Sequence, residues 1–205
     1  MPPASGPIER AASTIEARGR AAPEFRWAGQ AARQTGRAVH QYLCRIANEG
    51  AANWTPERVR ASEGHITELL RSLGLTGPEA AQRAADGVEI ICKALSDERG
   101  RWLIGPHKEA ATEFALTAVI NGAVEHLVID RTFVDEAGVR WVVDYKTGGH
   151  EGGSLAEFLK SEKERYRPQL ERYAAAIRAT GEGREIRRAL YYPALGEWME
   201  WSEVE

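Results

Sequence analysis

The sequence predicts an α/β protein: a mixed β-sheet flanked by helices, with a helical N-terminal half. Three observations lead there. Apolar residues recur at three- and four-residue spacings through the N-terminal half, β-branched and aromatic residues take over near residue 110, and a long helical stretch then precedes two more strand-like segments.

Residues 1–24 are rich in Ala, Pro, Gly, Ser and charge without a period, which reads as a mobile lead-in or linker; 25–205 read as one domain. From Phe25 to Glu49 the residues Ala32, Val39, Leu43 and Ile46 form one apolar stripe, with His40 at its edge. Thr55 and Pro56 cap and open a helix that runs to Gly74, and "TGPEAAQRAADGVEIICKALSD" reads as another. The texture changes at "RWLIG", after which "TEFALTAVI", "VEHLVIDRTFV" and "VRWVVDYKT" read as three mostly antiparallel strands. A helix from Ser154 is expected to break or restart near Pro168 and to close before Gly181, and "EIRRALYYPA" and "EWMEWSEV" end the chain as strands.

Composition narrows the function. Twenty-seven basic against thirty acidic residues give a net charge of −3, so any nucleic acid must be held locally and not by a global basic field. The two cysteines, Cys44 and Cys92, fit reduced thiols of a cytoplasmic protein and cannot supply an iron–sulfur cluster. No apolar run approaches the roughly 20 residues that cross a bilayer, so no membrane role is expected.

The stretch "VIDRTFVDEAGVRWVVDYKTG" holds the candidate chemistry. Gly138 suits the left-handed position of a three-residue hairpin loop, and pairing Asp135 with Val139 brings Asp130 opposite Asp144, with Lys146 on the same face. A one-residue slip would put the carboxylates on opposite faces. In register, two carboxylates roughly 5 Å apart repel unless a cation lies between them, and a hard divalent ion would also activate water and neutralise a phosphate. Lys146 beside it would stabilise phosphoryl charge in the transition state. The plainer alternative is a surface salt-bridge ladder. His126, about 13 Å along the strand, is a poor ligand on geometry; His150 and Glu113 are further candidates.

Four stretches in order, "TGRAVHQYL", "VIDRTF", "VVDYKTG" and "RPQLERYAAAI", resemble the RecB/AddA-type nuclease domain of the PD-(D/E)xK superfamily, found at the C-terminus of UvrD-like DNA helicases. The resemblance implies a restriction-endonuclease-like core and Mg²⁺-dependent cleavage of DNA, typically single-stranded, with Mn²⁺ as a substitute and a helicase as partner in repair or recombination. It makes Asp130 and Asp144 metal-binding acids, Lys146 the catalytic lysine, His40 a metal ligand from the helix, and the Tyr145 carbonyl a further ligand. Gln169 and Tyr173 match a Q-x-x-x-Y helix motif and, with Arg131 and Tyr166, are expected to contact DNA. A core histidine at position 40 and a purely packing Tyr173 are the alternatives. The position two before Asp130, commonly glycine in the family, is Val128 here. Rival functions are an inactive nuclease-like module that binds DNA or protein, and a free-standing nuclease of restriction or phage type.

Overall fold

A computed structural model describes residues 23–120, 122–150 and 152–202. The expected lead-in at 1–24 lies almost wholly outside the described residues. Helix α1 runs Pro23–Glu49, α2 Pro56–Ala61, α3 Glu63–Ser72, α4 Gly77–Ser96 and α5 Glu98–Ile104. Strands β1 (Lys108–Ile120), β2 (Ala123–Val134) and β3 (Arg140–Tyr145) follow, then α6 (Leu155–Ala179), β4 (Ile186–Tyr192) and β5 (Glu197–Trp201). The five strands lie in sequence order in one sheet, antiparallel except for the parallel pair β3–β4, which α6 connects. A helical N-terminal half and a mixed sheet with helices on both faces make this a restriction-endonuclease-like α/β fold.

Two cores flank the sheet. Val39, Leu43 and Ile46 of α1 pack with Ile66, Leu70, Ile91 and Leu103 against Phe133, Trp141, Val143, Tyr145 and Tyr191. Leu170, Tyr173, Ala174 and Ile177 of α6 cover Ile129, Val142, Leu190 and Tyr192 on the other face. Every residue of β3 is therefore buried, as a central strand covered on both faces requires. Each fully buried side chain of this kind contributes about 1.5–3 kcal/mol, so β3 is an anchored platform for whatever its C-terminal end carries.

Three local expectations are corrected. The single helix expected from Thr55 to Gly74 is two, because Ser62 departs from helical geometry and its hydroxyl bonds back to the Arg58 carbonyl at 3.0 Å. "RWLI" is the end of helix α5, whose start is capped by the Asp97 carboxylate on the Gly100 N–H at 2.7 Å. Helix α6 passes through Pro168 without ending. Pro168 and Glu164 are both exposed, so the carbonyl that Pro168 cannot pair with faces water while Leu170 and Tyr173 hold the helix to the sheet.

β1 and β2 turn over together midway. Thr112 bonds to Cys44 and Asn48 of α1, and its partner Arg131 to carbonyls of α5, yet Phe114 and its partner Ile129 belong to the α6 side. Residues two apart on a regular strand share a face. Here they do not, and the residues between them are Glu113, with a left-handed φ of 47°, and Asp130.

Candidate active site

The β2–β3 hairpin has the register its turn requires. Asp135 N–H bonds to Val139 at 3.0 Å, Gly138 sits at φ 83°, and the ladder runs to Arg131 opposite Val143. There it stops. At the next step Asp130 Oδ2 accepts the Tyr145 N–H at 2.7 Å, so a carboxylate replaces the backbone partner and is pinned in the fork between the strands. The Tyr145 carbonyl faces the same fork, since N–H and C=O of one strand residue point to the same neighbour. The other side of β3 stays paired: Lys146 N–H donates to the Tyr191 carbonyl at 2.8 Å.

Asp130 and Asp144 are thus successors in register without standing face to face. Asp144 is 4 % exposed and turned toward α6, where Gln169 Nε2 donates to its Oδ1 at 3.0 Å. Lys146 Nζ forms an ion pair with Oδ2 at 2.6 Å, the one polar partner of that buried oxygen among the described residues. Burial first, and then the charge of Asp130, push the Asp144 carboxyl up to about 6 against the pull of Lys146. The ammonium also lies 3.5 Å from the centroid of the Tyr166 ring.

From the opposite side α1 brings His40, its Nδ1 3.5 Å from Asp130 Oδ2 and its ring edge-on to Tyr145. Burial pulls its pKa down, but the hydrogen bond to Asp130 and the charges of Asp130, Asp144 and Glu113 leave it above the ordinary value. Ligand atoms of His40, Glu113 and Asp130 lie within 4.8 Å of one another. Burial and the neighbouring Asp130 also raise Glu113. Three carboxylates and an imidazole therefore face one lysine. The excess negative charge and a donor set of oxygens with one nitrogen both suit a divalent cation.

α1 reaches this place because Gly36 lets it approach the exit of β3: a methyl on Gly36 would lie 2.5 Å from Thr147 Oγ1. The sequence does not foretell this contact, although Gly36 lies one turn before His40.

The remaining candidates sort differently. Gln169 Nε2 bonds to Asp144 and, at 2.6 Å, to Tyr173 Oη, so its amide faces the acid and not solvent. Tyr173 is 7 % exposed in the α6 core, with no face open to a base. Arg131 is 3 % exposed and donates to the Leu103 and Gly105 carbonyls at 3.2 and 2.8 Å, which ties α5 to the sheet; the expected DNA contact is replaced by this one. Tyr166, half-buried, remains beside Lys146. His126 bonds to Thr117 on the outer ribbon, and His150 stacks near Phe158; neither joins the group around Asp130. Val128 is 46 % exposed, pointing outward from β2.

The protein thus joins a restriction-endonuclease-like fold to a strand fork with Asp130 inside β2, Asp144 near the end of β3 and Lys146 two residues on. The model of the PD-(D/E)XK nuclease superfamily matches residues 16–197. The chain belongs to that superfamily. No curated protein matches it. No helix among the described residues is long and apolar enough to cross a membrane.

Proposed function

We propose that this protein is a divalent-cation-dependent deoxyribonuclease that hydrolyses phosphodiester bonds of single-stranded DNA and works with a helicase in DNA repair or recombination. The observation that carries the catalytic part is the pairing of a buried Asp144 with Lys146, two residues on, beside the Asp130–His40 pair. The single-strand preference and the helicase partner rest on the four-stretch resemblance to RecB/AddA-type domains.

Asp130, Asp144, His40 and the Tyr145 carbonyl would hold the ion, Mg²⁺ by its hardness, with Mn²⁺ accepted through the imidazole nitrogen. Such an ion supplies Lewis acidity toward the phosphate and lowers the pKa of water. Tyr145 N–H fixes the Asp130 carboxylate, and Gln169 fixes Asp144 through Oδ1 while Lys146 pairs with Oδ2. Lys146, steadied by the Tyr166 ring, places its ammonium where phosphoryl charge develops. Preorganised charge in a half-buried fork acts without the reorganisation that water would need.

The test is cleavage of end-labelled single- and double-stranded DNA in Mg²⁺, Mn²⁺ or chelator. Cation-dependent cutting that is faster on single strands supports the proposal. Intact DNA under every condition defeats it, and equal rates on both substrates remove the single-strand part.

A further inference from the structure

Arg131 and Tyr173 are buried, so the groups that hold a strand of DNA at the site lie elsewhere. Helix α1 offers two cations. Arg33, Arg37, His40 and Cys44 follow at alternating four- and three-residue spacings and so form a single stripe along the helix. His40 meets Asp130 and Cys44 meets Thr112 of β1, whereas Gly36 meets Thr147 after β3. Counted round the helix from Gly36, Arg33 lies at about 60° and Arg37 at about 100°, on either side of Cys44 at about 80°, so both arginines project toward the β1 side of α1. Arg45, further along, is held by Glu49 at 2.7 Å. Arg33 and Arg37 are exposed and donate only to uncharged oxygens, the Gly29 carbonyl at 3.2 Å and Gln34 Oε1 at 3.4 Å.

Two exposed arginines alone would be a solvated helix face; what stands beside them is the second observation. Toward the tip of the β1–β2 ribbon, Leu127 and Ile129 turn to α6, which leaves Ala115, Thr117, Val124, His126 and Val128 exposed on the opposite face. Glu125, between them in sequence, pairs with Arg172 of α6, so this face carries no carboxylate beyond the site itself. The cationic stripe and the uncharged face diverge from the contact of His40 with Asp130.

We propose that single-stranded DNA lies between α1 and the β1–β2 ribbon, its phosphates held by Arg33 and Arg37 and its unpaired bases set against Ala115, His126 and Val128. This deepens the nuclease reading above and rests on it. The two arginines are about one helical turn apart, roughly 6 Å along the axis, which suits neighbouring phosphates of one strand, and each guanidinium fork can hold a phosphate by two hydrogen bonds. Paired bases inside a duplex are turned away from such a wall, so only a single strand gains from it.

Cleavage of a single-stranded oligonucleotide in Mn²⁺ by the full chain, at several salt concentrations, tests this. Arg33→Gln/Arg37→Gln should raise KM about 10-fold at low salt and flatten the slope of log KM against log salt by about 1.4, which is about 0.7 for each phosphate contact, while kcat changes by about 2-fold or less. Arg33→Lys/Arg37→Lys should keep the wild-type slope, and Arg71→Gln, which removes the partner of Glu68 on α3, should match wild type throughout. His126→Ala/Val128→Ser should raise KM about 10-fold with the salt slope unchanged, since no charge is lost. An unchanged KM in either the Gln pair or the ribbon pair, a fall in kcat at constant KM, or a Lys pair with the slope of the Gln pair would overturn the inference and leave the nuclease reading in place. If wild type cuts no DNA, both fall.

Discussion

Lys146 folds back onto Asp144, its Nζ 2.6 Å from Oδ2, with the Tyr166 ring 3.5 Å from the same ammonium. The lysine is held by an acid and an aromatic face and touches none of the His40, Glu113 and Asp130 donors that converge on one another. Its role is therefore distinct from that of a cation ligand.

Lys146→Ala should lower the cleavage rate by about 100-fold or more, the scale of losing one charge-stabilising group in a transition state, with Mn²⁺ affinity close to that of wild type. Single-turnover cleavage beside a calorimetric titration checks both. A near-wild-type rate would remove the assigned role, and lost binding would make Lys146 a structural partner of the ion site.

Asp144 carries a cost that its removal should relieve. Its carboxyl is raised to about 6 from an ordinary 3.8, so the folded state binds the proton more tightly than the unfolded one. Stability then falls as pH rises from the ordinary value through the raised one, and the full penalty is present at neutral pH. Asp144→Asn without metal should melt higher than wild type at pH 7, by about 1–3 kcal/mol of stability, and the two should converge near pH 4. It should also lose part of the stabilisation that wild type gains from Mn²⁺. A lower metal-free melting point for the variant would mean that the Lys146 pair outweighs the repulsion.

His40 makes cation binding pH-dependent. Asp130, Asp144 and Glu113 outweigh burial and keep its imidazole protonated above the ordinary value, and that proton competes with the ion. Apparent Mn²⁺ affinity should fall as pH is lowered between about 8 and 6, and the slope should flatten in His40→Gln. Equal slopes in the two proteins would place the proton elsewhere.

Gly36 and Thr147 test how tightly α1 sets the exit of β3. A methyl at Gly36 would meet Thr147 Oγ1 at 2.5 Å but the Thr147 Cβ only at 3.7 Å. Gly36→Ala should therefore fold, shift the segment that follows Lys146 and cut activity about 10-fold, the order a small misplacement near reacting groups produces. Adding Thr147→Ala should restore most of it by removing the hydroxyl. A double variant no better than the single one would show that the glycine serves helix packing alone.

Much of this was legible in the sequence. Gly138 and the five-residue span from Asp135 to Val139 set the hairpin, and the observed pairing of Arg131 with Val143 continues the same register. That register brought Asp130 and Asp144 to the end of the β2–β3 ladder. It did not foretell which way each would point, because strand alternation assumes an unbroken pleat and the turnover at Glu113 and Asp130 breaks it. Tyr173 is expected at nucleic acid through its match to the Q-x-x-x-Y motif, and Arg131 with it; the burial of both depends on how α5 and α6 pack on the sheet, which the local sequence does not carry. Helix α5 had a signal that the apolar "RWLIG" obscured, namely Asp97 followed by Glu98 as a cap and an acidic first turn.

The central claim, that acids at the β2–β3 fork hold a divalent cation for phosphodiester hydrolysis, is tested most directly by single-strand cleavage with wild type and Asp130→Asn. Wild type should cut in Mn²⁺ and stop on adding chelator, and Asp130→Asn, whose amide at the fork is a weaker ligand, should lose at least about 100-fold under the same conditions. Cleavage that survives chelator, or an Asp130→Asn protein as active as wild type, would contradict the account.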